Sequence, residues 1–301
     1  MRIAFTSDVH TDHHAANRLV WQEMVAMLRD LAPDVFVCCG DMAAEEKQFG
    51  MTMMALEGVS CPKLFVPGNH DVWVQKAAWV ERGISSQRKY YQLLPALCRA
   101  AGVHPLWLEP YVLGDVAFCG SLGWYDYSLR NPDFDAHITV HDYRRKTFQD
   151  RVWNDGRFVY WLAPETSGGQ RKRLSDKAIT AHMVQALVQQ LQEVEHRVQH
   201  IVGVTHMLPF RSMVHYQHEA RADYFGAFMG SALLGEVWQS CPKVTVVLAG
   251  HTHRQLTVQV GHMMALTSPV GYARQWHGST PSAVARDRLR VIDLTNKERA
   301  L

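Results

Sequence analysis

Side chains that can bind metal ions cluster near the start of the chain, in the stretch T-S-D-V-H-T-D-H-H at residues 6–14. The five that carry a carboxylate or an imidazole are Asp8, His10, Asp12, His13 and His14. They cannot all bind in one site. Carboxylates mixed with imidazoles suit Mn, Fe or Zn, so the chemistry that this stretch suggests is that of a transition-metal centre.

Four further blocks of such residues follow, each after an apolar run. They are Asp41; Asn69, His70 and Asp71; His206; and His251 with His253. On an extended backbone, side chains at i and i+2 point to the same face, so the D-V-H and H-T-H pairs should each reach into one site. Gly40, Gly68 and Gly250 precede three of the blocks. Glycine permits the tight turns and unusual backbone angles that aim the next residue inward.

Short apolar strands and amphipathic helices must position these blocks. The first predicted elements are strands at 2–7, 34–39 and 63–67 and helices at 15–31, which ends before Pro33, and 45–57. The later ones are a helix at 88–101, a hairpin at 111–121, a helix at 175–197 capped by Ser175, and strands at 200–206, 243–253 and 288–294. The βαβαβ order predicts an α/β sheet with parallel strands that end at a common edge. Ligand sites in such sheets lie at the carboxyl ends of the strands.

Residues 122–173 carry many aromatic residues and several arginines without a clear period. We interpret this region as a cap that shapes a substrate pocket, although a structural cover or a dimer face would have the same composition. The basic runs at 144–146 and 170–173 are predicted to be solvated loop charge, with recruitment of an acidic substrate as the alternative.

Composition limits the class of protein. The chain has 301 residues, of which 47% are hydrophobic and 20% charged, and this suits one large domain or two small ones. A net charge of +2 lacks the basic bias of a dedicated nucleic-acid binder. We find neither a signal-peptide pattern nor an apolar run long enough for a membrane span, and we predict a soluble, cytoplasmic protein. The six Cys are expected to be buried free thiols.

The blocks D-x-H, G-D, G-N-H-D, a strand-end H and G-H-x-H, in that order from residue 8 to residue 253, resemble the calcineurin-like metallophosphoesterase superfamily. The resemblance implies a four-layer αββα sandwich with two metal ions at the strand ends. It also implies one metallophosphoesterase domain over residues 1–301, with the cap-like insertion at about 122–173.

The resemblance further implies a role for each block. The first metal would be bound by Asp8, His10 and His253, and the second by Asn69, His206 and His251. Asp41 would bridge the two ions with one oxygen on each, which suits the ~3.5–4 Å separation of two-metal sites. A metal-bound hydroxide would attack phosphorus. His70 would protonate the leaving group as general acid, and Asp71 would orient and charge it.

Some assignments have competitors. His200, His215 and His218 are alternatives to His206. Asp12, His13 and His14 spell the D-H-H signature of an unrelated phosphoesterase family, but that interpretation leaves the other blocks unexplained. We expect Asp12 to cap the first helix or to face an anion, and His13 and His14 to lie at the rim, where they would contact substrate.

Departures from specialised branches narrow the function. The segments G-D-M-A-A-E-E and G-N-H-D differ from the corresponding motifs of the Ser/Thr protein phosphatases. Ala44 stands where purple acid phosphatases have a Tyr ligand, and His70 stands where lipid-A-pathway hydrolases have Arg. The prokaryotic-type phosphodiesterase and phosphatase branch remains, with two Mn, Fe or Zn ions and a small phosphoester or nucleotide as substrate. A repair-type nuclease and a metal-free scaffold are the alternatives, and the oligomeric state is open. We expect no nucleic-acid or membrane partner.

Overall fold

The computed structural model describes residues 1–75, 83–163 and 172–294. One sheet is built from the parallel strands β1 (Arg2–Thr6), β2 (Val35–Cys38), β3 (Lys63–Phe65) and β4 (His104–Pro105), with β13 (Arg290–Asp293) antiparallel to β1. Its strand order is β13–β1–β2–β3–β4. The first three strands are apolar and almost wholly buried, as expected for a parallel sheet covered on both faces.

The other large sheet has six strands. They are β5 (Tyr111–Leu113), β6 (Val116–Ser121), β9 (His200–Thr205), β10 (Val244–Ala249), β11 (Leu256–Val260) and β12 (Met263–Thr267), in the order β11–β12–β10–β9–β6–β5. The four central strands are parallel, and β5 and β11 form antiparallel edges. A separate hairpin joins β7 (Thr147–Phe148) to β8 (Arg151–Val152).

Helices cover the two sheets. They are α1 (Ala15–Leu31), α2 (Glu46–Met54), α3 (Ser86–Arg88), α4 (Leu94–Ala100), α5 (Val140–Arg145), α6 (Asp155–Phe158), α7 (Asp176–Val194), α8 (Ala220–Asp223), α9 (Ala232–Ser240) and α10 (Pro281–Arg288). A π-helical turn, Lys89–Leu93, joins α3 to α4. No helix within the described ranges is both long and apolar enough to cross a membrane.

The layers pack as a four-layer αββα sandwich. On the first sheet, Trp21 of α1 contacts Phe36 of β2, and Phe49 of α2 contacts Phe65 of β3. On the second sheet, Trp238 of α9 lies so close to β9 that a Cβ at Gly203 would be 3.0 Å from its ring. These large side chains fill the space between each helix and its sheet at the density of a protein interior.

Most of the predicted elements are confirmed. Helix α1 has the predicted bounds, the hairpin of β5 and β6 is antiparallel, and Ser175 caps α7 by accepting from the Ala178 amide. The prediction of buried free thiols is confirmed for all six Cys. The elements outside the insertion that were not predicted from the sequence are β4, β11, β12, α8, α9 and α10, which lie between or after the recognised motifs.

In the basic runs at 144–146 and 170–173, Lys146 departs from the prediction of solvated loop charge. Lys146 is paired, because its ammonium lies 2.6 Å from the Asp176 carboxylate and both side chains are largely buried. Arg173 lies over the Tyr160 ring. Residues 170 and 171 of the second run fall outside the described residues.

Candidate metal centre

Loops that follow five strand ends meet at one edge of the sandwich. The Asp8 amide donates to the carbonyl of Gly40, and the His10 amide donates to that of Asp41, so the loops after β1 and β2 are joined. The Gly250 amide donates to the His206 carbonyl and joins the loops after β9 and β10. Across the sheets, His206 Nδ1 lies 2.8 Å from the Cys39 carbonyl oxygen.

The backbone that carries these side chains is not extended. Five of the predicted ligands have left-handed φ angles between 49° and 70°, and they are Asp8, His10, Asp41, His251 and His253. The premise that i and i+2 share a strand face is therefore wrong for both pairs, although their side chains do converge. Non-glycine residues adopt this conformation at a cost, and such strain concentrates at functional sites.

The glycines before the blocks chiefly allow neighbouring loop segments to lie close together. A Cβ on Gly68 would lie 2.1 Å from Asp41 Oδ1, and one on Gly250 would lie 2.7 Å from the Cys39 carbonyl oxygen. Neither residue has a positive φ. Gly40 has both properties, with φ +88° and a Cβ position 2.6 Å from the Gly68 nitrogen. Of the three glycines expected to have unusual backbone angles, Gly40 alone has one.

Two groups of side chains come together at this edge. In the first group, His10 Nε2 lies 3.1 Å from His253 Nε2, which lies 3.4 Å from Asp8 Oδ1. In the second group, His206 Nε2 lies 3.1 Å from Asn69 Oδ1 and 3.2 Å from His251 Nδ1. Every one of the seven predicted ligands is in one group or between them.

Asp41 lies between the two groups. Its Oδ2 is 3.5 Å from His206 Nε2 and 3.8 Å from His10 Nε2. Its Oδ1 accepts from the His70 amide at 2.9 Å. One oxygen therefore faces both groups, whereas the expected arrangement gave one oxygen to each ion.

Three histidines are held by hydrogen bonds on the side away from the site. His206 Nδ1 faces the Cys39 carbonyl, His251 Nε2 faces the Phe228 carbonyl at 3.2 Å, and His253 Nδ1 faces Gln275 Oε1 at 3.0 Å. The rings of His206 and His251 donate there and leave the other nitrogen's lone pair in the site, which is how metal-binding histidines are oriented. Gln275 was missed because nothing in the sequence near it marks it.

The electrostatics of the site favour the metal-binding protonation state for three of the four predicted ligand histidines. Burial lowers the pKa of His10, of His206 and of His251, the last to about 3, so these rings are neutral. For His253, burial lowers the pKa, but the hydrogen bond with Asp8 outweighs burial and the pKa is raised. Burial raises the pKa of Asp41, and the nearby carboxylates of Asp8 and Asp71 raise it further. Neutral imidazoles with crowded buried carboxylates suit a cation that would offset the negative charge. The donor set therefore fits a pair of metal ions.

Asp8 differs from Asp41. Burial raises the pKa of Asp8, but the hydrogen bond from His253 and the neighbouring histidines outweigh burial, and the pKa falls below its usual range. Both of its oxygens also accept from the His251 amide, at 3.1 and 3.0 Å. Asp8 is thus held as an anion against the loop that carries the G-H-x-H block.

His70 and Asp71 do not form the expected pair. The His70 ring stacks on Trp73 with centroids 3.6 Å apart, and its Nε2 lies 3.9 Å from Asp41 Oδ2. Asp71 is fully buried, and its oxygens accept from four backbone amides at 2.7–3.0 Å, those of Asp41, Met42, Ala43 and Gly68. The prediction that Asp71 orients and charges His70 is wrong, because both oxygens are committed to the loop that carries Asp41.

The residues expected at the rim have other contacts. His14 is the N-cap of α1, since its Nδ1 accepts from the Ala16 amide. Asp12 accepts from the Ala44 and Glu45 amides, so it binds the loop before α2 and does not cap α1. His13 lies against Tyr272, with ring centroids 4.4 Å apart. The competing histidines at 200, 215 and 218 are exposed, whereas His206 is buried.

A cavity of about 620 Å³ opens over the two groups. Asp41, Asn69, His70, His251 and His253 line its floor. Its walls include the aromatic residues Trp73, Trp153, Phe225 and Tyr272, together with Arg274. Val152, Trp153 and Asn154 lie within residues 122–173, so this region lines the cavity, and its role as a cap stays a prediction. His13 and His14 are absent from the lining that the described residues provide.

Comparison with known proteins gives one family. A model of the calcineurin-like phosphoesterases matches residues 1–255. No curated protein matches the sequence at a significant level. The fold is similar to that of phosphopantetheinyl hydrolase from Mycobacterium tuberculosis, with a TM-score of 0.74 and 20% identity over 99% of this chain and 98% of that chain. It is also similar to the protein TT1561 of Thermus thermophilus, with a TM-score of 0.54 and 12% identity over 98% and 94%.

Proposed function

This chain belongs to the calcineurin-like phosphoesterase family and is a metal-dependent hydrolase of phosphoric esters, and from that premise we propose that it cleaves a small-molecule or nucleotide phosphodiester or phosphomonoester at a pair of metal ions. One observation carries the proposal. Two groups of buried ligand atoms face each other across a single oxygen of Asp41.

Each group would hold one ion. The first ion would be bound by Asp8, His10 and His253, the second by Asn69, His206 and His251, and both by Asp41. The nitrogen and oxygen ligands suit Mn, Fe or Zn. When bound, the two ions would polarise the phosphate and lower the pKa of the attacking water.

The surroundings of His70 support a role at the leaving group. Its side chain is one-fifth exposed and lines the cavity, and its ring is held by stacking on Trp73. The Nε2 nitrogen lies 3.9 Å from the oxygen that faces both groups. An imidazole at this position can give a proton to the departing alkoxide, the step that limits esters with poor leaving groups.

The shape of the cavity supports a small substrate. Its volume falls within the usual range for small-ligand sites, ~300–1,000 Å³. Aromatic walls suit a base or another flat group, and Arg274 at the cavity supplies a cation for a further anionic group. The fold is shared end to end with phosphopantetheinyl hydrolase, so a phosphopantetheinyl ester is a reasoned substrate to test beside nucleotides.

The test is an activity panel on protein reconstituted with Mn²⁺. The panel contains para-nitrophenyl phosphate, its bis ester, 2′,3′- and 3′,5′-cyclic nucleotides, and a phosphopantetheinyl ester. Asp41→Ala should abolish turnover, whereas His218→Ala, at an exposed histidine, should keep it. Equal rates for Asp41→Ala and the wild type would refute catalysis at this centre.

His70 is tested by the choice of leaving group. His70→Ala should lose little rate on the nitrophenyl esters, whose leaving group needs no proton, and about 10²–10⁴-fold on alkyl esters. Full activity of His70→Ala on an alkyl ester would rule out its role as general acid.

The two alternatives are outcomes of the same experiment. A repair-type nuclease would cleave DNA added to the panel faster than any small ester. A metal-free scaffold would contain no transition metal by elemental analysis and would take none up on soaking.

A further inference from the structure

A buried carboxylate from the insertion reaches the metal centre. Asp155 begins α6 and is 1% exposed. Its Oδ1 accepts from Asn69 Nδ2 at 3.0 Å and from Trp73 Nε1 at 2.7 Å. Its Oδ2 accepts from Trp153 Nε1 at 2.8 Å and from the Tyr125 hydroxyl at 3.1 Å. Four donors from four separate positions in the chain thus meet at one side chain.

The contact with Asn69 decides which way that amide faces. An asparagine side chain has an oxygen that accepts and an NH₂ group that donates, and rotation by 180° exchanges them. A carboxylate only accepts, so Asp155 holds the NH₂ group. The amide oxygen is thereby turned to His206, 3.1 Å from its Nε2. The oxygen is the atom that a metal ion would use, so the orientation matters for binding.

The other contacts fix the walls of the cavity. Trp73 lies beneath His70 in a stacked arrangement. Trp153 packs parallel to Phe228 and meets His251 edge to face, with ring centroids 5.2 and 5.7 Å away. Both indoles donate to Asp155. The same carboxylate therefore positions a ligand and two aromatic rings that touch catalytic or ligand histidines.

We propose that Asp155 is a positioning residue of the metal centre, which holds the amide oxygen of Asn69 toward the second ion and so links the insertion to metal binding. The inference rests on the proposed function for the identity of Asn69 as a ligand. It predicts that Asp155 controls the affinity of one ion and leaves that of the other unchanged.

Asp155→Asn is the direct test. The variant keeps the shape but presents an NH₂ group to one pair of donors. Asn69 can then rotate its oxygen toward residue 155 and its NH₂ group toward the ion. Mutation of a residue that hydrogen-bonds to a metal ligand typically weakens metal binding ~10–100-fold. We expect that loss for one of the two Mn²⁺ ions in calorimetric titration of metal-free protein, checked by competition with a chelator.

Asp176→Asn is the matched control. Asp176, the first residue of α7, is also a buried carboxylate. It accepts from three side chains of the insertion that are not predicted ligands, those of Trp124, Tyr127 and Lys146. It should lose stability and keep both Mn²⁺ affinities. Asp155→Ala is measured as a second variant in case the amide prevents folding.

A double-mutant cycle shows whether the effect passes through Asn69. Asn69→Ala should weaken the same ion, and adding Asp155→Asn should weaken it no further, because coupled residues are not additive. Wild-type affinity for both ions in Asp155→Asn and Asp155→Ala would overturn the proposal, as would additive losses. Two Mn²⁺ ions bound by a wild type that cleaves no ester would refute the proposed function, while the affinities would still decide the role of Asp155.

Discussion

Asp71→Asn should destabilise the protein strongly, because of how the carboxylate is used. Oδ2 accepts from the amides of Asp41 and Gly68, and Oδ1 accepts from those of Met42 and Ala43. An asparagine retains one oxygen, so in either orientation its NH₂ group faces two amide donors. A buried donor without a partner costs ~1–3 kcal/mol. The expected loss is therefore about 2–6 kcal/mol, a large part of the ~5–15 kcal/mol that stabilises a typical protein.

Urea unfolding of metal-free protein measures this loss. Asp223→Asn is a suitable control, since the Asp223 carboxylate is also buried and accepts from two backbone amides, those of Gln217 and His218, and none of its described hydrogen bonds is to a predicted ligand. Both variants should have a lower free energy of unfolding, with an unchanged slope of that free energy against urea concentration. Asp71→Asn should also lose turnover, since movement of Asp41 by about 1 Å can cost ~10²-fold.

A different result would restore the original assignment of Asp71. If Asp71 served His70, Asp71→Asn would shift the pH dependence of turnover and leave stability within about 1 kcal/mol of the wild type, as uncoupled polar changes usually do. That outcome would refute the view that Asp71 organises the Asp41 loop.

Three further predictions follow from single contacts. Gly68→Ala should abolish Mn²⁺ binding in calorimetry and turnover, because its Cβ would lie 2.1 Å from Asp41 Oδ1; retained binding would contradict the packing. Gln275→Leu should weaken Mn²⁺ binding ~10–100-fold by removing the acceptor for His253 Nδ1; unchanged affinity would rule out that role. Burial lowers the pKa of Lys89 from 10.5 to about 8, so folding releases its proton and stability should rise between pH 8 and 10.5, by up to ~3 kcal/mol. Urea unfolding of Lys89→Met should lack this rise; an equal rise in both proteins would contradict it.

The sequence predicted which side chains come together, because order and position carry the information. Each block follows an apolar strand, and parallel strands end at one edge, so Asp8, Asp41 and His206 were expected together without any side-chain detail. The local conformation was not predictable in the same way. A left-handed φ at Asp8 or His10 depends on hydrogen bonds to loops more than 25 residues away, such as the Gly40 and Asp41 carbonyls.

Adjacency in sequence misled the assignment of Asp71. His70 and Asp71 are neighbours, but consecutive side chains on an irregular loop point in different directions, and here one faces the cavity and the other the interior. The amides that Asp71 accepts from lie mostly 28–30 residues earlier in the chain. Such a partner has no local pattern, and the same holds for Gln275 and its contact with His253.

The insertion had no period because its aromatic residues do not line one face of a helix or strand. They pack around two buried carboxylates, with Trp153 and Tyr125 donating to Asp155 and Trp124 donating to Asp176. A tryptophan or tyrosine is well buried when its polar atom has an acceptor, so an anion can organise several of them at once. One of these two carboxylates also holds a predicted metal ligand, Asn69, so the proposed role of Asp155 would make the aromatic region part of the metal centre, whereas a structural cover would leave metal affinity unchanged when Asp155 is replaced.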